Sequence, residues 1–316
     1  VSTPAISQRA ATATHRTIVR THAGMAELVA YIVAGLATGA IYALAAIGFT
    51  LVWQTSQTIN FAQGEYVMLP AILILAGVSF FGLPLWAAAL LGGLIFVAVF
   101  GAGFKIAVVD PMIRHGVLPL AIATMALAII MKEGAKDLFS SEAQTFPSPF
   151  PAGAVDILGV SLSMQHIAII AVAFIAIGIL QWFVSRTRTG RQMQATAQNP
   201  GVALILGIPV ARMVMLTFAI NAALAVLASV LVSPLYLAKF SNGEVIGLFA
   251  FIAAIVGGFN QVRGALGGGL IVGVVDSLAA AYISSSYRLA VPLALLVLII
   301  LIKPEGLFGR REERRI

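Results

Sequence analysis

Beyond the first two dozen residues the chain is a succession of long apolar runs separated by short polar turns. The runs cover 28–53, 60–79, 84–104, 117–135, 164–184, 212–235, 245–259, 265–283 and 288–302. An α-helix rising 1.5 Å per residue needs about 20 apolar residues to cross a hydrocarbon core about 30 Å thick, and most of these runs meet that requirement. The seventh is short and ends on Gly257-Gly258, which predicts a half-span or broken helix. The expected fold class is therefore all-α: a polytopic membrane protein with eight to nine transmembrane helices, some of them broken.

Composition narrows the functional classes. Of 316 residues, 60% are hydrophobic and only 10% are charged, against about a quarter charged in soluble domains. This excludes an ordinary soluble enzyme, and so much apolar surface equally excludes disorder. The absence of Cys rules out disulfides and thiolate chemistry. His15, His22, His115 and His166 are far apart, so no metal site is expected. No phosphate-binding loop occurs, so any ATP hydrolysis must belong to another chain. No acid–base or nucleophile pair stands at helical spacing either; neither catalytic residues nor a cofactor are expected.

The net charge of +7 is clustered. Arg9, Arg16 and Arg20 lie in a polar arm, 1–24, expected to be disordered; Arg186, Arg188 and Arg191 share the 185–211 loop; Arg310, Arg311, Arg314 and Arg315 lie in a basic tail, 310–316. Basic clusters beside apolar spans report orientation, and no basic face alternates with stacking aromatics, so nucleic acid is excluded as a partner. Four spans separate the 185–211 loop from the tail, which puts both, with the C-terminus, in the cytoplasm. Lys105, Arg114 and the 54–59 turn fall on the same side. The 136–163 loop, with Asp137, Glu142 and Asp156, falls outside. The arm also counts as outside despite its three Arg; either translation begins at Met25, or the count is off by one near the start.

Several motifs have a structural and a functional reading. Gly35-Leu36-Ala37-Thr38-Gly39, continued by Ala43, is a small-x-x-x-small pattern that suits close helix packing, inside the chain or at a subunit interface. In Ile59-Asn60-Phe61-Ala62-Gln63-Gly64-Glu65 the Asn60/Gln63 spacing predicts a capping box, with Glu65 complementing the helix dipole. The same helix start is also a place to meet a polar solute. Residues 191–198 predict a helix that Asn199-Pro200 ends, and a second short one runs to Gly207-Ile208-Pro209, making a rigid knob or a plain solvated loop. Gly257, Gly258, Gly264, Gly267, Gly268, Gly269 and Gly273 predict tight packing or a helix break beside a pathway. Asp276, inside the eighth span, is expected to face protein or water, pairing with a base such as Arg288 or hydrated at the outer interface.

Taken in order, Gly39-Ala40-Ile41-Tyr42-Ala43-Leu44, Ile59–Glu65, Gly190-Arg191-Gln192 with Gly207-Ile208, Gly257-Gly258 with Gly264-Ala265, and Pro304-Glu305-Gly306-Leu307-Phe308-Gly309 resemble the LivH-type permeases of branched-chain amino acid ABC importers. The resemblance spans about Met25 to Gly309. It implies a transmembrane permease domain over 25–309 in a bacterial inner membrane, with a second related permease, two cytoplasmic ATPases and an external solute-binding protein as partners. It places Asn60, Gln63, Gly64 and Glu65 near the translocation path, with Asp276 a further candidate. Gly190, Arg191, Gln192, Ala195, Asn199 and Gly207 become candidates for ATPase coupling, and Gly35, Gly39, Gly257, Gly258, Gly264 and Gly268 for helix packing or breaks. Two departures stand out. The family's usual His is Gln63 here, which removes a titratable group, and the acidic pair often found in the coupling loop reads Gln198-Asn199. The resemblance also admits urea or short amides as the solute. Outside the family, an ion-coupled secondary transporter would need Asp276 as its coupling acid.

Overall fold

The computed structural model describes residues 5–309 apart from 58, 113–114, 152, 158–159 and 260, with backbone alone for 5–24, 157 and 160. The chain folds into α1 (Ala5–Ser56), α2 (Gln63–Phe81), α3 (Leu85–Met112), α4 (Val117–Leu138), a hairpin of β1 (Ala154–Ile157) and β2 (Val160–Ser163), α5 (Met164–Arg186), α6 (Arg188–Gln198), α7 (Pro200–Ile205), α8 (Val210–Tyr236), α9 (Asn242–Gly257), α10 (Val262–Tyr282) and α11 (Ala290–Ile302). Among the described residues, seven helices are long and apolar enough to cross a membrane. The seventh and ninth predicted spans are the shorter apolar helices α9 and α11, of 16 and 13 residues. Helical backbone reaches upstream to Ala5, through the arm expected to be disordered. The arm's side chains, Arg114 and the tail 310–316 lie outside the described residues.

The small-residue pattern explains why α1 is the hub. Its segment from Ala37 to Ile47 is almost wholly buried, and its principal neighbour is α10. Gly35 and Gly39 lie against Gly273 and Gly269 of α10, so closely that a Cβ on Gly273 would sit 2.2 Å from the Gly39 Cα. Lipid chains are as apolar as Leu, so helix association in a bilayer rests on this sort of backbone-to-backbone packing. The outer helices behave oppositely: Leu94, Ile130, Ile175 and Leu301 are exposed, as residues that face lipid can be.

Two irregular segments need their backbone groups satisfied, because nothing in hydrocarbon would do it. The second half of α3 winds as π-helix over Val97–Gly103 and Lys105–Val109. Lys105, placed by its charge at a span end, is itself buried and reaches Asp110 at 2.8 Å. At the other break, α9 stops at Gly258, whose φ of 110° a side chain would strain. The segment after α11 folds back to cap it: the Leu307 amide donates to Val256 O at 2.8 Å and the Phe308 amide to Gly257 O at 3.1 Å. The closing Pro304–Gly309 motif is thus the cap of a broken helix. A Cβ on Gly268 would lie 2.1 Å from Ala253 O, so α10 also crosses α9 at backbone distance.

Between α4 and α5 the predicted outer loop contains the β1–β2 hairpin, with Ala154 opposite Ser163. Gln144 pairs with Ala238 through two backbone hydrogen bonds, tying this loop to the turn after α8.

Candidate functional site

The polar segment before α2 is drawn into the bundle. Asn60, Gln63 and Glu65 are 2%, 0% and 4% exposed. The expected capping box does not form, because α2 begins at Gln63 itself and its cap residue is Ala62, which has no side-chain acceptor to offer. Asn60 Oδ1 instead accepts from the Ala62 amide at 3.1 Å, an Asx-type turn that starts the helix. As the first helical residue, Gln63 turns its amide toward α1 and α8. There its Nε2 donates to Asn221 Oδ1 at 2.8 Å, while Asn221 Nδ2 returns a bond to Gln63 Oε1 at 2.9 Å. Gly48 makes the room, since a Cβ there would lie 2.0 Å from Asn221 Oδ1. Neither Asn221 nor Gly48 was among the sequence candidates. Asn221 carried a readable signal, an amide in mid-span, where an unsatisfied polar group is costly.

Glu65 points the other way. It lines a cleft of about 440 Å³ between α1, the start of α2, α4 and α9. Phe49, Phe61, Leu248 and Phe251 form apolar walls, with Lys132, Glu133 and Glu244 also in the lining. Lys132 and Glu244 form an ion pair. Backbone closeness shapes this site: a Cβ on Gly64 would meet Gly243 O at 2.1 Å, and one on Gly243 would meet Glu65 Oε2 at 2.0 Å. Glu65 Oε2 has no hydrogen-bond partner. Of the polar-segment candidates, Gly64 and Glu65 therefore border the cleft, while Gln63 is spent on a structural pair.

Asp276 stands apart from this cleft. Arg288 grips it twice, Nε to Oδ1 at 2.6 Å and Nη2 to Oδ2 at 2.7 Å, and Tyr42 donates to Oδ2 at 3.2 Å. Arg288 also reaches the Tyr236 hydroxyl at 2.9 Å and lies over that ring. Bidentate geometry and a third donor give the buried carboxylate the compensation that its burial demands.

The segment after α5 is a two-helix knob. Thr187 Oγ1 accepts from the Gly190 amide and Asn199 Oδ1 from the Val202 amide, both at 3.0 Å, so each helix has a side-chain N-cap. Gly190 is buried against α5, where a Cβ would meet Phe183 O at 2.3 Å, and Met193 and Thr196 complete the inner face. Arg191, Asn199 and Gly207 are exposed; Gln192 and Ala195 are half-buried. The tip is apolar, with Leu204, Ile205 and Leu206 exposed by 66%, 86% and 71%. Apolar side chains there went unremarked in the sequence because they look like one more short apolar run.

A family model described as "Branched-chain amino acid transport system / permease component" matches residues 31–300. The chain belongs to this permease family. It is 32% identical over 296 residues to the high-affinity branched-chain amino acid transport system permease protein LivH of Salmonella typhimurium, covering 89% of this chain and 96% of that one. It is 33% identical over 299 residues to BraD, the permease protein of the same description from Pseudomonas aeruginosa, covering 90% and 97%. LivH of Escherichia coli is 31% identical over 296 residues. Membership makes the chain a multi-pass transporter component and not an enzyme.

Proposed function

We propose that this chain is one permease subunit of an ATP-driven importer in a bacterial inner membrane, carrying a branched-chain amino acid or a related small solute. The observation that carries the reading is the α6–α7 knob, rigidly capped and packed on its inner face while Leu204, Ile205 and Leu206 are left uncovered. An apolar tip on a fixed base suits insertion into a partner's groove and transmits the partner's motion without bending. The names of LivH and BraD support the solute class.

In this reading a second related permease completes the membrane unit, two ATPases receive the knobs, and an external binding protein delivers the solute. Arg188 and Arg191 in the knob and Arg186 just before it, with the basic tail, favour the cytoplasm for both knob and C-terminus. ATP binding draws the ATPases together, the knobs follow, and the permease pair reorients about a path beside Gly64 and Glu65. Asn60 and Gln63 support that path from within the bundle, and Asp276 anchors α10 to Arg288 away from it.

Replacing Ile205 and Leu206 with Glu tests the knob. The ATPases should fail to co-purify with the variant while its thermal unfolding matches wild type. ATPase subunits that remain bound in full would refute the docking assignment. Uptake by this chain alone in ATP-free vesicles would refute the importer reading and favour ion coupling.

A further inference from the structure

The cleft beside α2 carries an acceptor with no donor. Glu65 is almost fully buried, yet its Oε2 makes no hydrogen bond. A buried carboxylate without donors is costly, and its oxygen has room only because Gly243 lacks a side chain: a Cβ there would lie 2.0 Å from Oε2. Of the three carboxylates in the lining, Glu244 pairs with Lys132 and Glu133 with Lys136 at 2.9 Å, which leaves Glu65 as the one without an ion pair. Its size falls within the range of about 300–1,000 Å³ usual for small-ligand sites. Phe49, Phe61 and Phe251 offer an apolar wall beside the acid.

We propose that this cleft is a way-station in which Glu65 accepts the primary ammonium group of a small aliphatic zwitterion. The aliphatic part rests on the phenylalanines, and the zwitterion's carboxylate faces Lys132 at the edge occupied by Glu244. A neutral solute such as urea offers Glu65 no charge-assisted bond, so the site discriminates by the ammonium. This rests on the reading of the chain as an importer subunit and adds which group of the solute is recognised inside the membrane unit.

The test uses the assembled complex in lipid nanodiscs without the external binding protein, with labelled L-leucine as probe. Isoamylamine carries the ammonium without a carboxylate, and isocaproate carries the reverse. In the wild type, isoamylamine should displace L-leucine and isocaproate should do so far less well. Glu65→Gln, which keeps the side-chain volume, should weaken L-leucine binding about ten- to a hundredfold, the loss expected for a charge-assisted hydrogen bond. Glu65→Asp, which keeps the charge, should retain part of the affinity, and thermal unfolding of both variants checks that they fold. Unchanged binding by Glu65→Gln, or equal displacement by the two competitors, would overturn the site. A wild-type complex that does not hold its ATPases would instead overturn the importer reading. If the ATPases are held and Glu65→Gln binds L-leucine normally, the ammonium site alone falls.

Discussion

Substituting Asn221 by Leu should destabilise the bundle through Gln63. The two amides exchange hydrogen bonds of 2.8 and 2.9 Å, and both residues are fully buried. In the variant Gln63 keeps only its longer contact to Ala45 O at 3.3 Å. A buried amide stripped of partners costs about 1–3 kcal/mol. Gln63→Met alone should cost a similar amount by stranding Asn221. Together the two changes replace a polar pair with an apolar one and should come within about 1 kcal/mol of wild type, since removing both partners leaves nothing unsatisfied. Interhelical hydrogen bonds in membranes average about 0.6 kcal/mol and reach about 1.7. Two such bonds predict a coupling energy of about 1–3 kcal/mol. SDS-driven unfolding of the purified chain and its three variants measures that coupling as a double-mutant cycle. Additive effects, with coupling below about 0.3 kcal/mol, would refute the pairing.

Three further outcomes follow from the geometry. Gly273→Leu forces side-chain atoms into the Gly39 backbone, where even a Cβ would be 2.2 Å away, and should cost at least about 3 kcal/mol in the same unfolding assay; a stable variant would show that α1 and α10 do not meet there. Arg288→Ala strands the buried Asp276 carboxylate and should cost about 3–5 kcal/mol, with Asp276→Asn in the same background restoring a large share; no restoration would deny that the stranded charge is the cause. Phe308→Gly should loosen the segment after α11 from α10, because the Phe308 ring lies against Gly267, and hydrogen exchange of the Leu307 and Phe308 amides should rise; unchanged protection would locate their hold elsewhere.

The spans were legible because an uncharged apolar run of membrane length is too long for a strand and too apolar for a helix in water. The shortness of α9 was legible from Gly257-Gly258 alone. The two helices of the knob were legible for a local reason: the unbroken 191–198 stretch, Asn199-Pro200 and Gly207-Ile208-Pro209 act within one or two turns, whereas the Thr187 cap was not read. The π-helical half of α3 left no trace, since no Pro or polar residue interrupts 97–103; within that stretch Gly101 packs against α8, a neighbour that the local sequence does not name. The capping box misled because a local pattern met a stronger distant partner. Asn221 lies 158 residues from Gln63, and no spacing rule connects them. Glu65 was singled out with the polar segment, but the glycine that makes its place, Gly243, and the cation nearby, Lys132, arrive from α9 and α4. Sequence periodicity describes one helix at a time; a cleft between four helices depends on how they meet.

At the centre of the proposed function is a dependence: this chain moves its solute only when ATPases act on the α6–α7 knob. Reconstituted vesicles holding the chain, its second permease and the two ATPases, supplied with the external binding protein, measure it directly as uptake of labelled L-leucine. Uptake should require ATP on the ATPase side and should be lost in the Ile205→Glu, Leu206→Glu variant. Equal uptake with and without ATP, or undiminished uptake by that variant, would contradict the dependence.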